Sequence, residues 1–262
     1  GHSHTQIAQP WQVNGIYIAS AGSNLDVLGK LELNVVDDRI QSLHTSLIPL
    51  VQPQKLIPTP LNQWVTSLAD SLDKEMGKVI ATIPEDWKPD KYSSTALSEW
   101  AAMALCKEYT ELYHPDLAII NCGGLRKSIP EGPVTLGDMY ELMPFNNYVV
   151  LFSCYGRDLL TMAELNDKHA VDKPYDIVQA ANAGWAVGCW HGDLNLEKAY
   201  VVGWNPVIPD KVYRVVSHDY ILGQWDKYLG FKPFDVQETG DLILDASIRQ
   251  VIKQYGNTTN KE

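Results

Sequence analysis

The chain has 262 residues, 45% of them hydrophobic, 10% aromatic and 20% charged. That composition excludes a largely disordered protein, and the length supplies one large domain, or one domain with an appendage, without need of disulfide staples. With 21 basic against 32 acidic residues the net charge is −11, which excludes the basic footprint of non-specific nucleic-acid binding but leaves room for one local anion site.

In chain order, Gly15–Ser20 and Leu28–Val36 read as strands. Leu31, Leu33 and Val35 alternate with Lys30, Glu32 and Asn34, the period of a half-buried strand. Asp37-Asp38 then turns the chain into Ile40–Leu50, which predicts a hairpin. Residues 49–60 carry Pro49, Pro53, Pro58 and Pro60 and read as a linker. Thr59-Pro60 starts a helix whose apolar face is Leu61, Val65, Leu68, Leu72 and Met76, with Gly77 as its stop. Further on, the periodicity predicts a helix over Leu97–Leu112 and a short buried strand at Leu117–Ile120. Thr135 and Asp138 have the spacing of a helix cap. A strand at Tyr148–Cys154, a helix at Gly156–Leu165, a strand at Val212–Val216 and a helix at Asp241–Tyr255 complete a mixed α/β (α+β) pattern. The longest near-apolar run, Tyr148–Tyr155, falls short of the ~18 residues of a membrane span.

Four residue groups could carry chemistry. First, a strand runs into Asn121-Cys122-Gly123-Gly124-Leu125-Arg126. The glycines permit a tight turn with exposed N–H groups, and an arginine can grip a carboxylate or phosphate bidentately. The turn alone fits an ordinary strand-to-loop connection with a solvated Arg126 at least as well. Second, Phe145 and Tyr220 stand at element ends, where aromatics can stack a flat ligand, although aromatics more often belong to the core. Third, Asp226 could accept hydrogen bonds from ribose hydroxyls or simply be a solvated loop residue. Fourth, His2 and His4 could ligate a metal with help from elsewhere, or be a short terminal tag. Cys106, Cys122, Cys154 and Cys189 form no CxxC pair and read as buried free thiols.

Taken in order, these segments resemble the 5'-nucleotidase family. The most specific stretch is Asn121–Glu164, which is similar to the family's Asn-Gly-Gly-Gly-Ile-Arg turn, its Gly-x-Val-Thr-x-Gly-Asp cap and its Leu-Pro-Phe loop. Lys211–Asp226 and Glu238–Gln254 resemble the segment with the family's second stacking aromatic and its closing helix. Gly1–Thr5 resembles its last metal-ligand motif, and Ile18–Leu50 the last strands of its metallophosphatase domain. The resemblance implies a layered C-terminal substrate domain over residues 79–262, a linker with a hinge helix over 51–78, and the tail of the metallophosphatase domain over 1–50. It implies a base held between Phe145 and Tyr220, Asp226 on the ribose, and Asn121, Gly123, Gly124 and Arg126 on the phosphate or sugar side. It also implies an extracytoplasmic location.

Two departures modify the expectation. The family arginine before the first long helix is replaced by Ser93, with Lys91 the nearest cation, and an asparagine by Glu99. The family's Gly-Gly-Asp-Gly is Gln224-Trp225-Asp226-Lys227, so Lys127 or Lys227 would have to compensate in binding an anion. The resemblance implies a divalent metal pair in a complete enzyme, with most ligands in a metallophosphatase domain and only His2 and His4 here. This chain alone is therefore expected to hold no cofactor and not to hydrolyse nucleotides, because two histidines cannot fix two cations in catalytic geometry. Its expected partners are a nucleotide or nucleoside and that domain. The alternative is a non-catalytic module that binds a nucleoside, a sugar or a partner protein.

Overall fold

The computed structural model describes residues 4–51, 59–188 and 197–256. The chain forms two compact units, Gly1–Ser67 and Leu68–Glu262.

In the first unit, β1 (Gln6–Val13) pairs with β2 (Ile16–Ala21), and β3 (Val27–Val36) with β4 (Arg39–Pro49). Asn14 and Gly15 have φ of 51° and 81°, and Asp37 and Asp38 have 51° and 57°. Positive φ at both central residues gives the mirror-image turn whose twist suits right-twisted strands. The predicted Asp-Asp hairpin is therefore present, whereas β1, interrupted by Pro10, was not apparent in the pattern. The hydroxyl of Thr45 donates to the carbonyl of Ala8 at 2.8 Å and ties the hairpins together. Leu31, Leu33 and Val35 are not half-buried as their alternation predicts: they are 48%, 48% and 55% exposed. The alternation is real, but within the described residues of the unit no second layer covers it.

Helix α1 (Pro60–Met76) starts where predicted, with the Thr59 hydroxyl accepting from the N–H of Asn62 at 3.1 Å. None of its residues is buried; Leu61, Val65, Leu68 and Leu72 all remain exposed. Most of the proline linker lies outside the described residues.

In the second unit, β5 (Val79–Ile83) pairs with β7 (Gly132–Thr135). Between them lie α2 (Ala96–Tyr113), β6 (Leu117–Asn121) and a 3-10 turn, Cys122–Gly124. Next come α3 (Leu136–Leu142), β8 (Tyr148–Tyr155) and α4 (Gly156–Asp172), then β9 (Val178–Ala181), β10 (Ala183–Gly188), β11 (Glu197–Val202) and β12 (Asn205–Pro206). The chain continues through β13 (Val212–His218), α5 (Asp219–Gly223), α6 (Trp225–Tyr228), β14 (Phe234–Leu242) and α7 (Ile243–Tyr255). The cap predicted at Thr135 is a reciprocal box: the Thr135 hydroxyl accepts from the Asp138 N–H at 3.1 Å, and the Asp138 carboxylate from the Thr135 N–H at 2.8 Å.

The central sheet has the order β14-β8-β13-β6-β9. Only β13 and β6 run parallel in it. Successive residues of a strand face opposite ways, and the core divides accordingly. Ala118, Ile120, Leu151 and Val216 join a cluster with α2, α3 and α7. Leu117, Ile119, Phe152 and Val215 join one with α4, α5 and α6. Cys106, Cys122 and Cys154 are buried and free, as predicted; Cys189 lies outside the described residues. The fold is thus a mixed α/β layered domain.

Gly156 begins α4 against the backbone of Ile208 and the side chain of Val207. A Cβ there would stand 2.1 Å from the carbonyl oxygen of Ile208. Gly156→Ala is expected to destabilise the domain by about 1–3 kcal/mol or more through forced backbone displacement, read as a lower urea midpoint at unchanged slope.

Candidate functional site

Three segments meet at one end of the central sheet. Val216 pairs with Ala118 in parallel, so β13 and β6 finish together, at His218 and Asn121. His218 is also opposite Val149 near the start of antiparallel β8, directly after the Phe145–Asn147 loop. Carboxyl ends of strands with diverging loops are where open α/β sheets leave a crevice. The crevice here is a small, shallow cleft, partly open to solvent. Ile120, Leu125, Met143, Phe145 and Ile243 supply an apolar lining, with Asn121, Gly124, Asn147 and His218 as the other contributors. Mostly apolar walls with a few polar groups are typical of small-ligand sites.

Of the residues singled out in the sequence, Asn121, Gly124 and Phe145 line this cleft. Gly123 lies in the same 3-10 turn. Arg126 is exposed; its guanidinium carbon lies 6.0 Å from the centre of the Phe145 ring, and it donates to the carbonyl of Gly123 at 3.3 Å. Tyr220 is not a lining residue of the cleft. Its ring lies 6.3 Å from that of His218, a lining residue, and is tilted from it by 16°. Asp226 is exposed on α6. His4 is exposed with φ of 53°, and His2 lies outside the described residues. Among the described residues no three His, Cys, Asp or Glu side chains gather as a metal site.

The two lysines that could have replaced the absent arginine are already engaged. Lys127 pairs with Asp138 at 2.9 Å and Glu141 at 3.0 Å. Lys227 pairs at 2.6 Å with Asp176, whose side chain is 5% exposed. Ser93, in the arginine's place, donates its hydroxyl to Asp90 at 2.7 Å, and Lys91 lies over the ring of Tyr92 at 4.7 Å. Tyr220 is hydrogen-bonded through its hydroxyl to Tyr228 and Gln224, which draws its pKa down. Burial pushes the Cys122 thiol up to about 11, so the cysteine within the glycine turn stays protonated and unreactive.

A profile described as "5'-nucleotidase, C-terminal domain" matches residues 78–233. The chain belongs to this family. Among curated relatives, the trifunctional nucleotide phosphoesterase protein YfkN of Bacillus subtilis is 23% identical over 168 residues, covering 61% of this chain and 12% of its own. The NAD 5'-nucleotidase of Haemophilus influenzae is 29% identical over 132 residues, covering 47% of this chain and 22% of its own. The crystal structure of a 5'-nucleotidase precursor from Thermus thermophilus shares the fold at 19% identity and a TM-score of 0.60, covering all of this chain and 57% of that one. This chain thus spans little more than half of that structure and less of the curated relatives. Among the described residues, no helix is long and apolar enough to cross a membrane.

Sequence reasoning missed His218 and Asn147, which sit beside residues it did select. His218 is 1% exposed, its Nδ1 has no hydrogen-bond partner among the described residues, and burial, partly offset by the neighbouring Asp219, pushes its pKa down to about 4. In the unfolded chain an imidazole titrates near 6.5. The folded domain therefore binds this proton less readily, and its contribution to stability is complete above about pH 6.5 and lost as pH falls toward 4. The loss is on the order of 3 kcal/mol. Melting temperature should decline across that window in the parent chain and decline less in His218→Asn.

Proposed function

We propose that this chain is the nucleotide-binding part of a 5'-nucleotidase-like phosphohydrolase. The observation that carries the reading is the cleft at the shared end of β6, β8 and β13, where Phe145, Asn121 and Gly124 come together. In this reading a nucleobase stacks on Phe145, with Tyr220 as the second ring. Asn121, Gly123, Gly124 and Arg126 face the sugar or phosphate, and Asp226 reaches the ribose. The 45% and 42% exposure of Phe145 and Tyr220 leaves both rings accessible. The names of the relatives, phosphoesterase and NAD 5'-nucleotidase, support a nucleotide as the substrate class.

We further propose that residues 1–50 are the tail of a metallophosphatase domain and 51–78 its linker to the substrate domain at 79–262. The uncovered face of β3 is what such a tail would present to the rest of its domain. A divalent metal pair held mainly by that domain, with His2 and His4 among its ligands, would activate the attacking water. In this reading this chain's own part is to hold the nucleoside. Relatives that include a precursor are in keeping with an extracytoplasmic enzyme of nucleotide catabolism.

The pairing of Lys127 and Lys227 with carboxylates favours one alternative, a non-catalytic module that reads a nucleoside, sugar or protein without its phosphate. Calorimetry separates the two. Tighter binding of AMP than of adenosine, with the difference abolished in Arg126→Ala, supports the phosphohydrolase reading; equal binding supports the alternative. Phe145→Ala should weaken adenosine binding by about 1–3 kcal/mol at unchanged melting temperature. The 262-residue chain alone should release no phosphate from AMP with added manganese or magnesium.

A further inference from the structure

We propose that His218 is a specificity-determining residue of the cleft, forming a hydrogen bond to the polar edge of a stacked nucleobase. The inference rests on the nucleoside-binding reading above and assigns one contact within it.

His218 ends the middle of the three strands that meet at the site, with Ile120 and Ile243 among the other lining residues. A position that served only packing would hold an aliphatic or phenyl side chain, because a buried polar nitrogen without a partner is unfavourable. Its neighbour Ser217 is satisfied, donating to the Ile119 carbonyl at 2.7 Å. The Nδ1 of His218 is not satisfied by any described residue, although the ring is 1% exposed and contributes to the cleft wall. Two facts select the ligand group. The imidazole is neutral near physiological pH, so one ring nitrogen donates and the other accepts, which suits the mixed edge of a base and not a phosphate. The rest of the lining is dominated by Leu125, Met143, Phe145 and the two isoleucines, which match the apolar faces of a flat heterocycle. The Tyr220 ring lies nearly parallel to the imidazole, with centroids 6.3 Å apart.

The test uses the whole chain with ¹⁵N-labelled histidine. The ring nitrogens of His218, assigned by their loss in His218→Asn, are followed by NMR while adenosine is titrated in, and affinities are measured by calorimetry. The expected result is a shift of the His218 nitrogens that saturates with adenosine binding. Adenosine affinity should fall roughly tenfold in His218→Phe, the usual effect of one lost hydrogen bond, and recover in part in His218→Asn. Should His218→Phe not fold, the titration of the parent chain decides. Adenosine binding with unmoved His218 nitrogens overturns the inference and leaves the nucleoside reading standing. Absence of binding by both adenosine and AMP overturns the two together.

Discussion

The parallel pairing of β6 with β13 is the constraint on which the site depends. An antiparallel pair would send the two strands out at opposite ends of the sheet. The parallel register places Asn121 and His218 on one edge, and antiparallel β8, entering from that edge, adds the loop of Phe145. The register is held from both sides. Alternate residues of β6 bury in different clusters, so a slip of one residue would exchange the two sets and disrupt both. Site geometry and core packing are therefore the same requirement.

Charge sets the character of the cleft. The chain is acidic overall, and Lys127 and Lys227 are committed. Lys127 serves the Asp138 that caps α3, and Lys227 neutralises the buried Asp176. Breaking either pair to recruit its lysine would strand a carboxylate, most severely the buried one. Arg126, exposed beside Phe145, carries no carboxylate partner among the described residues. A ligand would thus meet apolar walls and neutral hydrogen-bonding groups first, and positive charge at one corner. On the proposed reading, base recognition belongs to this chain, and the phosphate is shared with groups contributed from elsewhere.

The legible parts of the sequence were those with local causes. Thr59, Thr135 and the Asp37-Asp38 turn announced their elements because a cap or a two-residue turn is decided within four residues. The Asn121–Arg126 turn and Phe145 were legible by family likeness, and the structure places Asn121, Gly124 and Phe145 around one cleft. What escaped was non-local. Strand β14, largely exposed and broken in register beside Phe234 and Glu238, has little alternation to read. The predicted closing helix accordingly began two residues early, at Asp241, which still belongs to that strand. His218 was invisible because its meaning lies in the strands on either side of it, not in its own neighbours along the chain.

The clearest mismatch between pattern and structure lies in the first unit and α1. Leu31, Leu33 and Val35 and the helix face from Leu61 to Leu72 carry the periodicity of buried surfaces, yet remain exposed. Periodicity records the environment in which a segment is stable, and a two-stranded hairpin gains little stability by itself in water. Polar substitution of those leucines would have suited solvent equally well in a hairpin or an exposed helix. Their apolar spacing is better accounted for by a covering surface that the described residues do not provide. The second unit shows no such deficit, since its central sheet is packed on both faces. Within the described residues, one unit thus satisfies its own pattern and the other does not.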